Sequence, residues 1–400
     1  MQAPGSIPAG RGRRLAWLCV VVSWLAAYAQ PAVPQTTLRQ QALALEQRGD
    51  LPAAETIWHT LLRQDARDVE AYAHLGLDEA RQQNYPQAIR DYRHALALDP
   101  GIRGLRLDLA LSYFKTGQFT HAIPLLLEEH RRHPDDLRLT ILLGMAHYGA
   151  QQYGQAVPYL KAAAADEPQS AAIRLPLAQA CLWSRHFHCV LNTYKEILAL
   201  NADSAQADML AGEAYSAQGD TPDAVRQFRA AVEADPKQPQ AHFGLGYLLW
   251  TQRNYPEAEK QFRAELALEP EDGQSLAYLG DSLLQLGQNA AARQALERAV
   301  ALKSSLELDD LDLGILDEAT NRNDAAVREF QAAIHLDPKN TDPRWRLGRL
   351  YLKMGERQKA LAEFAVVSKM KQESAQNLYM KMAGSPEARA AANRQDAKPQ

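Results

Sequence analysis

The residues best equipped for chemistry in this sequence are Cys181 and Cys189, with His186 and His188 between them. Two thiolates and two imidazoles could hold zinc, but known fingers space their histidines further apart than the single intervening residue here. An even pair of cysteines in an oxidising compartment equally suits a disulfide. Two free thiols are the third reading. A second concentration is acidic: Glu307, Asp309, Asp310, Asp312, Asp317 and Glu318. It lacks the alternating ligands and the glycine of a calcium loop. The cations Arg344, Arg346, Arg349 and Lys353 follow, so the two groups are expected to attract each other across neighbouring elements. The alternative is an acidic patch for a basic partner or a divalent cation. Glu129, His130 and His133 share one helical face and read as solvated surface, having too few donors for an ion site.

No phosphate-binding glycine loop with lysine, Gly-x-Ser-x-Gly elbow or His-Glu-x-x-His helix occurs. Gly244-Leu245-Gly246 lies within a predicted helix and reads as packing. No catalytic residue, cofactor or metal is therefore expected. The mildly acidic balance, −4 overall, argues against nucleic acid as a partner, which needs a basic surface.

The elements that carry these residues read as helical. The 400 residues are 46% hydrophobic and 23% charged, and alanine, leucine, glutamine and arginine dominate the middle of the chain, with few β-branched residues. The N-terminus reads as an export signal. Arg11, Arg13 and Arg14 precede an apolar run from Leu15 to Tyr28, and Ala27-Tyr28-Ala29 supplies small residues at both positions that a signal peptidase inspects. The run is shorter than the ~20 residues that cross a bilayer. Cleavage after Ala29, a mature chain in the periplasm or outside the cell, and no membrane span after cleavage are expected. An uncleaved anchor is the alternative, and the Arg13-Arg14 pair fits a twin-arginine signal poorly. Residues 30–34 form a short lead-in.

Beyond the lead-in, proline sets a period. Pro100, Pro134 and Pro168 are 34 residues apart, and Pro236, Pro270 and Pro338 keep the same register. Such a period marks stacked supersecondary units. Ten units run without insertion from residue 35 to residue 374. Position eight is Gly or Ala in each of them, from Ala42 and Gly76 to Gly314 and Gly348. Position twenty is Ala in all but one, where Val190 stands. Position twenty-four is always large, as in Trp58, Tyr92, Phe262 and Phe330. The small pair should let two antiparallel helices approach, with the large residue filling the wider space away from that contact. Gly49, Gly117, Gly219, Gly287 and Gly355 at position fifteen suit a left-handed cap between the helices. The ninth unit places Asp310 and Asp317 at positions four and eleven, usually apolar, so its first helix should be the least stable. Residues 375–383 can add a helix that covers the last core face, using Tyr379 and Met382. Residues 384–400 read as a disordered tail.

A small residue at eight, Ala at twenty, a large ring at twenty-four and Pro at thirty-two resemble the tetratricopeptide repeat. The resemblance implies an all-α fold, a right-handed superhelical solenoid of antiparallel helix hairpins. It also implies a concave channel lined by positions two, five, nine and twelve of each first helix. Those positions, with their neighbours, give Leu107, Leu111, Phe114, Ile141, Met145, Tyr148, Leu175, Leu182, Trp183, Met209, Phe243, Tyr247 and Trp250 as candidate partner-binding residues. A mostly apolar and aromatic stripe of this kind suits a protein or peptide partner. Tyr247 and Trp250 are expected to serve binding rather than folding, the alternative being that side chains of this stripe simply pack between neighbouring hairpins. No unit pairs Lys at five with Asn at nine, so the family's clamp for a C-terminal carboxylate is absent. The expected function is a non-enzymatic scaffold of the cell envelope or secreted space. The alternatives are a glycan or small-molecule binder and an accessory subunit of an envelope enzyme or secretion complex.

Overall fold

The computed structural model describes residues 34–102, 104–200, 204–303 and 306–383, with side chains to residue 376. The expected signal at 1–29, most of the lead-in, the side chains of Tyr379 and Met382 and the tail at 384–400 lie outside the described residues. The chain divides between Asp166 and Glu167 into two compact units.

The first unit holds four hairpins: α1 (Gln35–Arg48) with α2 (Leu51–Gln64), α3 (Val69–Arg81) with α4 (Tyr85–Leu98), α5 (Leu105–Lys115) with α6 (Phe119–Arg132), and α7 (Leu137–Gly149) with α8 (Tyr153–Asp166). The second holds six. They are α9 (Ala171–Trp183) with α10 (Phe187–Ala199), α11 (Ala205–Ala217) with α12 (Thr221–Ala234), and α13 (Ala241–Thr251) with α14 (Tyr255–Leu268). Then come α15 (Gly273–Gln285) with α16 (Asn289–Ala301), α17 (Glu307–Ala319) with α18 (Asn323–Leu336), and α19 (Asp342–Lys353) with α20 (Arg357–Ala383). No strand occurs among the described residues. Within each unit every helix packs on the next, and in the second unit successive first helices from α9 to α17 also touch one another.

The periodic residues explain this regularity. Every position-twenty side chain, from Ala54 to Ala360 and including Val190, is fully buried. The position-eight glycines sit directly under the large residue of the same hairpin, not away from it. A Cβ at Gly76 would come within 2.5 Å of the Tyr92 ring, and one at Gly314 within 2.6 Å of Phe330. The expected division of space is thus corrected: the ring needs the missing Cβ, because helices this close leave no other volume for it. Gly244 and Gly246 show the same device twice in one helix, the first receiving Phe228 from the preceding hairpin and the second Phe262 from its own.

Position fifteen is left-handed in all ten hairpins. Besides the five glycines, Gln83, Gln151, Arg185, Arg253 and Asn321 adopt positive φ there, between 57° and 65°. The tight turn imposes the conformation whatever the residue, at a cost that only glycine avoids. Where a position-thirty-two proline occurs, the second helix ends two residues earlier, as at Leu98 before Pro100 and Leu268 before Pro270. A residue that precedes proline is pushed out of the helical region. Several first helices are then capped by the last residue of the preceding unit. Asp68 accepts from the Ala71 amide at 3.1 Å and Asp272 from the Ser275 amide at 3.2 Å, which satisfies amides that the helix leaves without partners.

The last helix is continuous from Arg357 to Ala383. Residues 375–383 therefore extend the second helix of the tenth hairpin instead of turning back as a helix of their own. No helix among the described residues is long and apolar enough to cross a membrane.

Candidate functional site

The candidate stripe falls in both compact units, and each portion has its own surroundings. In the first unit, Leu107, Leu111 and Phe114 lie on α5 and Ile141, Met145 and Tyr148 on α7, all half-buried. Leu107 and Phe114 pack against the core of their unit, and Phe114 meets Phe119 edge-on at 5.3 Å between ring centroids. Tyr148 similarly meets Tyr153 at 5.9 Å. These side chains serve partly as packing.

In the second unit the other seven candidates separate more clearly. Leu182 is buried, while Leu175 and Met209 are half-buried. Trp183 at the end of α9 is 48% exposed and Tyr247 in the middle of α13 is 37% exposed. Phe243, Tyr247 and Trp250 follow one another along α13 at helical spacing. Their rings lie nearly parallel, 22° and 23° apart, with centroids 6.3 and 5.9 Å distant. Tyr278 from α15 meets Tyr247 edge-on at 5.3 Å and Trp250 at 5.0 Å, and stacks on the buried Phe262 at 5.9 Å.

Trp250 does more than add surface. Its indole N–H donates to Asp281 Oδ2 on α15, and Gln285 donates to the other oxygen at 3.0 Å. The bond joins hairpin seven to hairpin eight, so the expectation that Trp250 serves binding rather than folding is corrected. Its ring face remains half-buried, while its polar edge is committed to the fold.

The start of α13 is fixed by an unusual cap. Gln240 takes a positive φ of 65° and its own side chain does not cap the helix. The fully buried Glu265 reaches from α14 instead, accepting from the amides of Gln240 at 3.0 Å and Phe243 at 3.1 Å. A carboxylate at a helix N-terminus gains from both the free amides and the helix dipole. This fixes the backbone that carries the three rings.

Behind the rings lies a carboxyl cluster. Asp281, Asp309 and Asp312 are all buried. Burial, then the neighbouring Asp281 charge and a hydrogen bond to Asp281, hold the Asp312 carboxyl well above the usual range, against the opposing pull of Arg346. Burial and the neighbouring Asp281 charge thus both favour the neutral form of Asp312. Two carboxylates this close cannot both ionise cheaply. Asp317, also buried, has different partners: Arg293 at 2.5 Å and Arg322 at 2.8 Å.

The expected attraction between the acids of hairpin nine and the cations of hairpin ten is not the main pattern. Arg344 pairs with Glu363 at 3.1 Å and Arg346 with Asp342 at 2.9 Å. Arg349 lies over the Trp345 ring at 4.8 Å, and Lys353 donates to Asn321 at 3.1 Å. For the three arginines short reach decides the matter, because partners on the same helix or hairpin cost less side-chain ordering, while Lys353 reaches back to a neutral amide of hairpin nine.

Cys181 and Cys189 form a disulfide, with Cα atoms 5.8 Å apart, across the turn between α9 and α10. Both sulfurs are thereby used, and the two thiolates of a zinc site are not available. His186 and His188 are exposed, and His186 Nδ1 lies 2.8 Å from the Ser184 hydroxyl. No group of three or more His, Cys, Asp or Glu among the described residues is placed to hold a metal ion.

Sequence reasoning by channel positions overlooked Tyr278 and Asp281. Asp281 does occupy position nine, and an acid there, beside a tryptophan at position twelve of the preceding unit, is the signal that could have found the pair.

The family model of the tetratricopeptide repeat matches residues 39–101, 74–137, 107–171, 141–182, 191–239, 209–272 and 243–307, and a second model of the same description matches 319–383. No curated protein matches the chain. Among solved structures, YrrB, described as a TPR protein with an unusual peptide-binding site, is 23% identical. That match covers 47% of this chain and 97% of YrrB, with a TM-score of 0.39. A tetratricopeptide repeat protein from Parabacteroides merdae is 19% identical over 62% of this chain and 97% of its own, with a TM-score of 0.44. The hetero-tetramer of Cut9 and Hcn1 gives 15% identity over 88% and 78%, with a TM-score of 0.41.

Proposed function

Because the chain belongs to the tetratricopeptide repeat family, we propose that it is a non-enzymatic scaffold whose first-helix face, the family's concave channel, binds a protein partner. The partner is an extended peptide or a helix. The observation that carries this reading is the ring series on α13. A large side chain such as Tyr247, left 37% exposed beside a buried core, is surface that association would cover. Trp183 offers a second such ring in the same compact unit.

We further place the protein in the cell envelope or secreted space. Two features support this: the basic and then apolar N-terminal segment ending in Ala27-Tyr28-Ala29, and the Cys181–Cys189 disulfide, a bond that persists in oxidising compartments.

A random peptide library displayed on phage and selected against the immobilised full chain tests the binding reading. Enriched peptide families are expected, and their affinity should fall about tenfold on Tyr247→Ala, because buried aromatic anchors dominate interface energies. Absence of enrichment, or enriched peptides indifferent to Tyr247→Ala and Trp183→Ala alike, would contradict it.

A further inference from the structure

Four rings on hairpins seven and eight meet three carboxyl groups on hairpins eight and nine, and their combined electrostatics select a partner chemistry. The faces of Phe243, Tyr247 and Trp250 run nearly parallel along α13. Aromatic faces carry the negative lobe of the ring quadrupole, and indole is the strongest of the three. The Trp250 N–H is held by the Asp281 carboxylate. A charge-assisted bond of that kind draws the proton outward and leaves the indole face more negative. Burial first, then the neighbouring Tyr247 hydroxyl and the carboxyl groups of Glu307, Asp309 and Asp281, hold the Tyr278 hydroxyl above the ordinary tyrosine range. The field at the rings is therefore negative from several directions. Arg346, the cation that acts on Asp312, is itself paired with Asp342. Glu307 keeps a neutral partner, accepting from Asn340 at 2.6 Å.

We infer that the shelf of Phe243, Tyr247, Trp250 and Tyr278 takes a cationic side chain, lysine or arginine, of an extended partner chain. The inference rests on the scaffold reading and adds the chemical class of the residue recognised. Tyr247 is the exposed platform, Trp250 supplies the polarised face beside it, and Asp281 acts through the indole as a positioning residue. An apolar side chain would gain only burial on the same shelf, and an acidic one would be repelled by the carboxyl groups behind it. A cation gains both the ring faces and the surrounding field.

The test uses the full chain and three acetylated, amidated ten-residue peptides in which alanine alternates with lysine, norleucine or glutamate. Norleucine keeps the length of the lysine stem and removes its charge. Calorimetry is expected to show the lysine peptide binding about tenfold more tightly than the norleucine peptide, with the glutamate peptide weakest. Tyr247→Ala should lower lysine-peptide affinity about tenfold, and Tyr247→Phe should retain most of it, because the ring and not the hydroxyl is required. Leu361→Ala, on the exposed side of α20, should change nothing. Circular dichroism and thermal melts of each variant separate lost binding from lost folding. Equal binding of the lysine and norleucine peptides, or loss on Tyr247→Phe equal to that on Tyr247→Ala in folded protein, would overturn the inference. If phage selection enriches peptides without basic residues, the scaffold reading stands and the cation inference falls. If nothing is enriched and no decapeptide binds, both fall.

Discussion

Asp78→Asn is expected to raise stability at pH 8 by up to about 4 kcal/mol and to leave it nearly unchanged at pH 4. Asp78 lies on α3, fully buried, and neither carboxyl oxygen has a hydrogen-bond partner among the described residues. Burial pushes its pKa up to about 7, with Glu46, Glu55 and Glu79 adding to the rise and Arg81 opposing it. In the unfolded chain the group returns to the ordinary value near 3.8. The folded state therefore holds the proton that the unfolded state gives up. The stability of the folded form is fully present below pH 4. It declines as pH rises towards 7, and the loss is complete above that. Asn mimics the neutral acid at every pH, so the difference between the two proteins should open between pH 4 and pH 7. Urea titrations of both proteins across this range, with hydrogen exchange at residues 69–81 to locate the change, would measure it. A difference independent of pH would show that Asp78 is ionised or solvated in the folded chain.

Phe262→Ala should cost about 3–5 kcal/mol of stability, the usual range for emptying a buried aromatic site. Phe262 is fully buried and contacts Phe243, Tyr278 and the space above Gly246. Trp250→Ala should follow at about 2–4 kcal/mol. It removes a half-buried ring and leaves the buried Asp281 carboxylate without its indole donor. Tyr247→Ala should cost less than about 1 kcal/mol, since its ring is more than a third exposed. Thermal and urea melts of the three variants would rank them. If Trp250→Ala melts like Tyr247→Ala, the bond to Asp281 contributes nothing to holding hairpins seven and eight together.

Much of the fold was legible because the repeat register carries it. A period of 34 residues and small residues at positions eight and twenty were enough to fix the helices, the hairpins and the buried alanines. The left-handed turn was legible only at its glycines. At Gln83, Arg185 and Asn321 the same conformation comes from the closure of the hairpin, which residue type does not reveal. The candidate site was partly legible. Position rules found Tyr247 and Trp183, the two most exposed rings among the candidates. They also grouped Trp250 with Tyr247, because a one-dimensional pattern cannot show an indole N–H reaching an aspartate 31 residues further on. The acids of hairpin nine were conspicuous in sequence and were expected to attract the cations of hairpin ten. In the structure Asp309, Asp310, Asp312 and Asp317 are buried. Asp317 finds Arg293 from hairpin eight and Arg322 from its own, and burial holds the Asp312 carboxyl above its usual range; neither is visible in composition.

The most direct measurement of whether the first-helix face is the binding surface is site-specific photo-cross-linking in the living cell. A benzoylphenylalanine would replace Tyr247 in one strain and Leu361, 57% exposed on α20, in another. Irradiation is expected to join a partner protein to the chain from position 247 and not from position 361, and the adduct should persist when the cells are fractionated to the envelope. An adduct from position 361 alone, or none from position 247 in protein that remains folded, would contradict a partner seated on that face.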